Sequence, residues 1–573
     1  MIVTVSEYIA KFLKAHGVTS VFELSGGMIM HLMDAIQQEP GIDLVNVYHE
    51  QSAAFAADTV GRITRVPGVA LGTSGPGAIN LLTGIGSSYF DSSPSLFITG
   101  QVNRHEQKGE REVRQLGFQE TDIVSMAKPI TKWAGRLGKP EEIKELLPRA
   151  FAHAMEGRPG PCLLDIPMDI FRAKIEADSM EFVSGREVKN YPGVQMIDEL
   201  VSALKESKRP LILAGNGIHA SGTKQGLSDL AEAWNIPVVA SLLACDIMPY
   251  GHRLRVGMIG TYGNRWANLA VSECDLLLVL GSRLDIRQTG SDTDSLSSGR
   301  KIFHVDIESA EINNRLKGCG AIHLPLHVFF EEMLKRNAAP SENGWLETIE
   351  ALRTKWPDTS ELKGIAGINP NSFMHALSRN REVFAYSVDV GLHQMWAAQS
   401  LELDGNARFL TSGGMGAMGF SLPAAVGAAV QSDRKKPVVV IAGDAGFQLN
   451  IQELQSVRHM GLPIKIVIMN NQCHGMTRQF QDTYFNSRYS GTVWGYSTPD
   501  FVSVANAYGI RSRRLESQAE MEDAIEWLWA DPLEPQLLEV TVDQRTNAYP
   551  KLAFGLPISE MEPHAKPQEM EST

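Results

Sequence analysis

The residues best suited to chemistry lie in two strand-end turns. Gly443-Asp444-Ala445 closes the apolar run PVVVIAGDA and Asn470-Asn471 closes PIKIVIMNN, with 24 residues between the turns. Runs of this kind read as neighbouring buried strands, so both turns should fall at one edge of a single sheet. A magnesium ion takes hard oxygen ligands in an octahedron, few of them carboxylates and the rest carbonyls, water and phosphate oxygens. Asp444, the amide oxygen of Asn471 and a main-chain carbonyl at Cys473 could form such a set. Gly443 and Gly446 would let the backbone approach a diphosphate, and a helix opening near Leu449 would aim its positive end at the same anion. Either turn alone is an ordinary strand end, but the pair at this spacing points to a metal-held diphosphate. A further candidate is Glu50, which follows a predicted strand and opens the Ala-rich stretch EQSAAFAADTVGR. An acid there can merely complement the helix dipole, worth about 0.3–1 kcal/mol. In an apolar setting it can instead share a proton with a cofactor base.

The elements that must position these groups are legible from length and pattern. With 573 residues and 62.9 kDa the chain is too long for one core, and about 150 residues per domain suggests three or four. Its 43% hydrophobic and 21% charged residues are ordinary for globular proteins. A net charge of −13 disfavours nucleic acid or an anionic membrane as partner. The five cysteines are nowhere closer than 29 residues, which excludes a CxxC site, and the odd count argues against a disulfide framework, so a cytoplasmic location is expected. The opening MIVTVSEYIAKFLKAHG reads as an amphipathic helix with Thr4 and Glu7 as a capping box, not as a signal peptide. The apolar runs, about seven residues long, fall far short of the roughly twenty that a membrane helix needs.

Eight such runs recur: GVALGTSGPG, PCLLDIP, PLILAGNG, DLLLVLGSR, KIFHVDI, PVVVIAGDA, PIKIVIMNN and PQLLEVTVD. Interleaved with helical periodicity, they predict an α/β chain of three doubly wound parallel-sheet domains over 1–175, 190–338 and 366–545, with an ordered tail over 546–573. Polar segments near 172–192 and 337–367 would divide them. Ligands belong at the carboxyl ends of such strands.

Ten blocks occur in order: YHEQSAAFAADTVGRI, GTSGPGAINLLTGI, FITGQV, GFQETDIV, GRPGPCLLDIPMD, HVDIE, SVDVGLHQMWAA, TSGGMGAMGFSLPAA, GDAGFQLNIQEL and NNQCHGMTRQFQDTYF. On these the chain resembles the thiamine diphosphate enzymes of the acetohydroxyacid synthase (acetolactate synthase) type, from about residue 3 to about residue 560. The resemblance implies a pyrimidine-binding, a central and a diphosphate-binding domain. It makes Glu50 the partner of the pyrimidine N1′, and Asp444, Asn471 and Cys473 the metal site. Met418 would prop the bent cofactor and Gly416 would offer a carbonyl to its 4′-amino group. Gly391, His393, Gln394, Gly443, Ala445, Gly446, Gly475 and Met476 complete the cofactor-binding set. Ala445 stands where the family has Gly, and Leu392 interrupts its GQHQ. A homodimer or homotetramer with active sites between subunits is implied.

Gly-containing strand ends in the middle third, with an acid after HVD, suit a nucleotide only weakly on their own. By resemblance, Arg158, Gly215, Asn216, Gly217, Gly281, Arg283, Asp285, Arg287 and Asp306 fall at FAD contacts, although the family's Asp-Val is Leu326-His327 here. Phe118, Gln119 and Lys132 would join Glu50 in catalysis, and Arg287 would meet an acceptor carboxylate. The acceptor pocket departs from the family at Thr261 (there Met), Ile286 (Asp) and Phe480 (Trp), and His474 is either an acceptor-side proton donor or a packed loop histidine. A stretch about six residues longer than the family pattern carries Arg104, Lys108, Arg111 and Arg114, and reads either as a solvated surface loop or as an entrance for a phosphorylated acceptor. The implied function is a carboligase that decarboxylates pyruvate and transfers the two-carbon unit to a carbonyl acceptor. A second keto acid, giving acetolactate, and a nucleotide-linked keto sugar both remain open as acceptors. A 2-keto acid decarboxylase or oxidase, or a catalytically silent partner protein, are further readings; intact Glu50, Asp444 and Asn471 oppose the last.

Overall fold

A computed structural model describes residues 2–177, 195–336, 344–362 and 364–569. All eight apolar runs are strands, and they fall in three six-stranded sheets, each parallel throughout. The first runs Asp43–Asn46, Ser20–Glu23, Gly68–Gly72, Ser95–Gln101, Pro161–Pro167, Trp133–Arg136. The second runs Arg255–Met258, Val238–Ala240, Pro210–Ala214, Leu276–Leu280, Lys301–Asp306, Gly320–His323. The third runs Arg408–Leu410, Ala385–Val388, Val438–Gly443, Ile464–Asn470, Gln536–Thr541, Arg511–Leu515. Helices cover both faces, so central strands such as Val438–Gly443 and Ile464–Asn470 are buried at every residue and read as continuous apolar runs. The first helix, Val5–Ala15, opens with the Thr4/Glu7 capping box.

The outer two sheets share one core. Helix Glu50–Thr64 lies against helix Ser421–Gln431, so close that a Cβ on Gly427 would sit 2.5 Å from the carbonyl oxygen of Ala56. Phe55 meets Phe420 edge-on at 5.3 Å between centroids. This helix pair lets residues of the first sheet reach loops of the third.

Neither dividing segment is described throughout. Most of the first, 178–194, lies outside the described residues, as do 337–343 and 363 of the second. Within the second, Trp345–Lys355 is a helix, and the Trp345 indole donates to the Pro210 carbonyl at 3.1 Å. Only Trp345 and Ile349 of that helix are buried, too few to show a period in the sequence. The tail pairs Lys551–Leu552 with Met561–Glu562 and seals Leu552, Ile558 and Met561 into the central domain's core; 570–573 lie outside the described residues. All five cysteines are free and buried, and no described helix is long and apolar enough to cross a membrane.

A buried cluster joins the segment after that helix to the third domain. His375 bonds Asp358 Oδ2 at 2.9 Å and Glu402 Oε1 at 3.0 Å. Burial alone would lower the imidazole's pKa, but the hydrogen bonds and charges of Asp358, then Glu402, outweigh it and hold it above its ordinary value. A raised folded-state pKa stabilises fully below the unfolded value of about 6.5, and the contribution is lost as pH rises through the folded value. The Tm deficit of His375→Gln relative to wild type is therefore expected to be greatest at about pH 6 and to shrink as pH is raised; thermal melts of both proteins across that range check it.

Candidate cofactor and active site

Strands Val438–Gly443 and Ile464–Asn470 are paired with Gly443 opposite Met469, so Asp444 and Asn471 leave the sheet side by side. Asp444 Oδ1 accepts from the Ala445 amide at 2.8 Å, whereas Oδ2 is buried with no partner. Burial pushes this carboxyl up to about 6. Asn471 Oδ1 accepts from the Cys473 amide at 3.3 Å across a turn in which Gln472 takes φ +52°. Burial pushes the Cys473 thiol up to about 11, so it stays protonated and leaves the main-chain carbonyl as the oxygen on offer. No three His, Cys, Asp or Glu converge among the described residues, so a cation here would need oxygens from a second party such as a diphosphate.

The helix expected near Leu449 instead opens at Asp444 and ends at Gln448, beginning directly from the extended backbone of Gly443. Glycine is required at 443 and 446 by contact. A Cβ would come within 2.8 Å of the His393 ring at Gly443, and 2.6 Å from Asp389 Oδ1 at Gly446. That ring also packs on Gly391, and burial pushes it down to about 3, leaving a neutral imidazole whose Nε2 has no partner. Gln394 donates to Thr411 Oγ1 at 2.6 Å, and its Oε1 is likewise buried and unpartnered. Leu392 sits in the apolar core beside Gly475, with Met476 packed against the same core, so the departure from GQHQ is filled by packing. Asp444 Oδ2, His393 Nε2 and Gln394 Oε1 are thus orphaned polar atoms around one strand edge. Buried groups of this kind are costly without a partner: a cation suits Asp444 Oδ2 and a diphosphate oxygen suits a protonated His393 Nε2, whereas the acceptor Gln394 Oε1 calls for a donor.

Gly416, at φ +69°, and half-buried Met418 lie on the loop that ends at Gly419. Asn450 donates to the Gly419 carbonyl at 2.7 Å and to Gln51 Oε1 at 3.1 Å, and accepts from Ser52 Oγ at 3.2 Å. It thereby fastens the Met418 loop to the start of the Glu50 helix. Glu50 does not cap that helix; His49 does, its Nδ1 accepting from the Gln51 amide at 3.0 Å. The buried Glu50 carboxylate accepts from Asn80 Nδ2 at 3.0 Å, and its Oε1 would lie 3.1 Å from a Cβ on Gly77. Gln119 abuts Gly75, the residue before helix Pro76–Asn80. Phe118 is 79% exposed, and Lys132 turns to the Glu156 carbonyl along Gly160, beside the loop that carries Arg158.

A cavity of about 400 Å³ opens among the three domains. Of the proposed flavin contacts, Arg158, Asn216, Gly217, Gly281, Arg283, Asp285, Arg287 and Asp306 line it, as do Leu326 and His327. Gly215 packs beneath, where a Cβ would sit 2.2 Å from the Gly281 carbonyl. Arg158 donates to Ser92 Oγ at 2.8 Å and pairs with Glu311 at 2.5 Å, and burial pushes Asp306 up to about 6. Size and mixed lining suit a cofactor.

Thr261 donates from both its amide and its hydroxyl to the Arg287 carbonyl, at 2.6 and 3.1 Å. Ile286 is exposed, and Phe480 packs against Tyr484 with the rings tilted, 4.8 Å between centroids. His474 is half-buried, its ring 4.7 Å from that of Tyr496. Tyr496, which the sequence did not single out, stands beside Asp444.

The long loop is not a cationic cluster. Glu106, Glu110, Glu112 and Glu120 alternate with its four bases. Arg104 pairs with Asp169 at 2.7 Å, Arg111 donates to the carbonyls of Gln107 and Lys108, and Glu120 accepts from the Lys108 and Leu116 amides.

The sequence matches three family models: thiamine pyrophosphate enzyme N-terminal TPP binding domain over 3–126, central domain over 197–333 and C-terminal TPP binding domain over 389–540. It is 34% identical to the acetolactate synthase large subunit of Cyanidium caldarium over 95% of this chain and 94% of that protein. It is 35% identical to that of Pyropia yezoensis (96% and 94%), and 34% identical to that of Lactococcus lactis subsp. lactis strain IL1403 (97% and 95%). Likeness of this depth over all three domains shows that the chain belongs to the thiamine pyrophosphate enzymes of the acetolactate synthase large-subunit family.

Proposed function

We propose that this protein is a carboligase that decarboxylates pyruvate and joins the two-carbon unit to a second molecule of pyruvate, so that two pyruvate anions and a proton give one acetolactate anion and one CO₂. The cofactor chemistry rests on the orphaned polar atoms at Asp444 and His393, in a chain that also keeps a buried Glu50 fastened to the Met418 loop, and the second pyruvate on the likeness to acetolactate synthase large subunits with Arg287 exposed beside the cavity. Magnesium would be held by Asp444, Asn471 and the Cys473 carbonyl, and FAD by the lining of the three-domain cavity. Thiamine diphosphate, when bound, supplies a carbon acid and an electron sink for decarboxylation. Glu50 holds and returns a proton at its carboxylate, the neutral His393 donates a hydrogen bond without adding charge, and Arg287 presents an exposed guanidinium to an acceptor carboxylate. Exposed apolar side chains such as Phe118, Tyr89, Met415 and Leu449 support a homo-oligomer with subunits packed over these loops.

A keto sugar acceptor draws support from the reshaped pocket at Thr261, Ile286 and Phe480, but the balanced charges of the long loop remove the phosphate-binding argument for it. The test is product analysis with Mg²⁺, thiamine diphosphate, FAD and pyruvate alone, reading acetolactate by its acid conversion to acetoin. Saturable acetolactate formation supports the proposal; CO₂ release only when a keto sugar is added overturns it. If pyruvate is the acceptor, Arg287→Gln is expected to lower kcat/KM by roughly 10- to 150-fold, the worth of one charge-assisted hydrogen bond of about 1.5–3 kcal/mol, seen in steady-state kinetics.

A further inference from the structure

The loop that carries Gly416 and Met418 is held from outside its own domain. Asp91, buried in the first domain, accepts from the amides of Gly413 at 3.0 Å and Gly414 at 2.6 Å. Arg62 clamps Asp91 at 2.8 Å and Asp58 at 2.7 Å, and donates to the Thr411 carbonyl at 2.7 Å. A second arm runs from Asp58 through Ser87 Oγ (3.1 Å) to Ser412 Oγ (3.3 Å), which accepts from the Ala417 amide at 3.1 Å. The same Asp91 faces the other way as well. Its main-chain carbonyl accepts from Asn216 Nδ2 at 2.9 Å, and Asp91, Asn216, Gly413 and Gly414 all line the three-domain cavity.

One residue therefore meets the cavity-lining Asn216 through its main chain and anchors the loop through its buried carboxylate. A ligand that fills the cavity touches Asn216, Asp91 and the glycine pair, so its binding bears through Asp91 on the loop against which a second ligand binds at Met418. We propose that Asp91, clamped by Arg62, is a positioning residue that couples occupancy of the three-domain cavity to affinity at the thiamine diphosphate loop. This rests on the cofactor assignment above.

The test is calorimetric titration of the full-length protein with thiamine diphosphate and Mg²⁺, with and without saturating FAD. In the wild type FAD is expected to tighten thiamine diphosphate at least tenfold. In Asp91→Asn that ratio is expected to fall to within twofold of one. A merely structural defect would weaken both cofactors and leave their ratio intact, which would overturn the proposal. Should Asp91→Asn not fold, Ser87→Ala removes the second arm with a one-atom change and is expected to cut the ratio about threefold; an unchanged ratio there overturns the proposal. FAD that does not bind the wild type, or binds without changing thiamine diphosphate affinity, also overturns it. A wild type that binds no thiamine diphosphate at all instead marks failure of the cofactor assignment.

Discussion

Glu50→Gln is expected to lower kcat for acetolactate formation by about 10²- to 10⁴-fold, the usual worth of a positioned proton-transfer group, while thiamine diphosphate still binds within a few-fold of wild type. The substitution keeps the side chain's shape and one acceptor oxygen. Asn80 Nδ2 and the glycine at 77 can therefore accommodate it, and helix Glu50–Thr64 loses no cap, because His49 supplies that. What is lost is the capacity to take up and return a proton next to the pyrimidine. Calorimetric binding together with steady-state rates separates the two effects. If kcat stays within threefold of wild type, Glu50 is only a buried partner of Asn80. Glu50→Ala is the harsher control, because it would also leave Asn80 Nδ2 without its acceptor, and should cost stability as well as rate.

What could be read from the sequence follows from where the information sits. Buried parallel strands declare themselves because both faces are apolar, which is why PVVVIAG and PIKIVIMNN place Asp444 and Asn471 at one sheet edge from the sequence alone. Asn450 and Asp91 stayed hidden for the opposite reason. Each is a lone polar residue with partners far along the chain, as with Asn450 and Gln51, 399 positions apart, and Asp91 and Gly414, 323 apart. No local period records such pairings; only packing of the Glu50 helix on Ser421–Gln431 creates them. For the long loop the bases alone leave a solvated surface loop and a phosphate-binding entrance both open, and the glutamates among and after them favour the first. Glu120, which ties Lys108 and Leu116 into a closed turn, is the residue that would have shown a self-contained loop.

Asp444→Ala is expected to weaken Mg²⁺-dependent thiamine diphosphate binding by at least about 100-fold, more than the 10- to 100-fold that loss of an outer-shell partner costs a metal site. Asn471 and the Cys473 carbonyl are neutral, so Asp444 is the only anionic ligand among these three protein groups. Asp444→Asn keeps an oxygen at the same position and is expected to fall between wild type and Asp444→Ala, with partial recovery at high Mg²⁺. Stability should move the other way. Without cofactor, Asp444 buries a carboxyl whose Oδ2 has no partner and which burial pushes up to about 6. Removing such a group relieves a desolvation cost, so Asp444→Asn should melt at or above the wild-type Tm when both are cofactor-free, and below it when Mg²⁺ and thiamine diphosphate are saturating for the wild type, which then gains binding free energy that the variant lacks. Melting curves with and without Mg²⁺ and thiamine diphosphate decide it. A variant that loses stability without cofactor, or keeps wild-type affinity, would show that Asp444 serves the strand-end turn and not a cation.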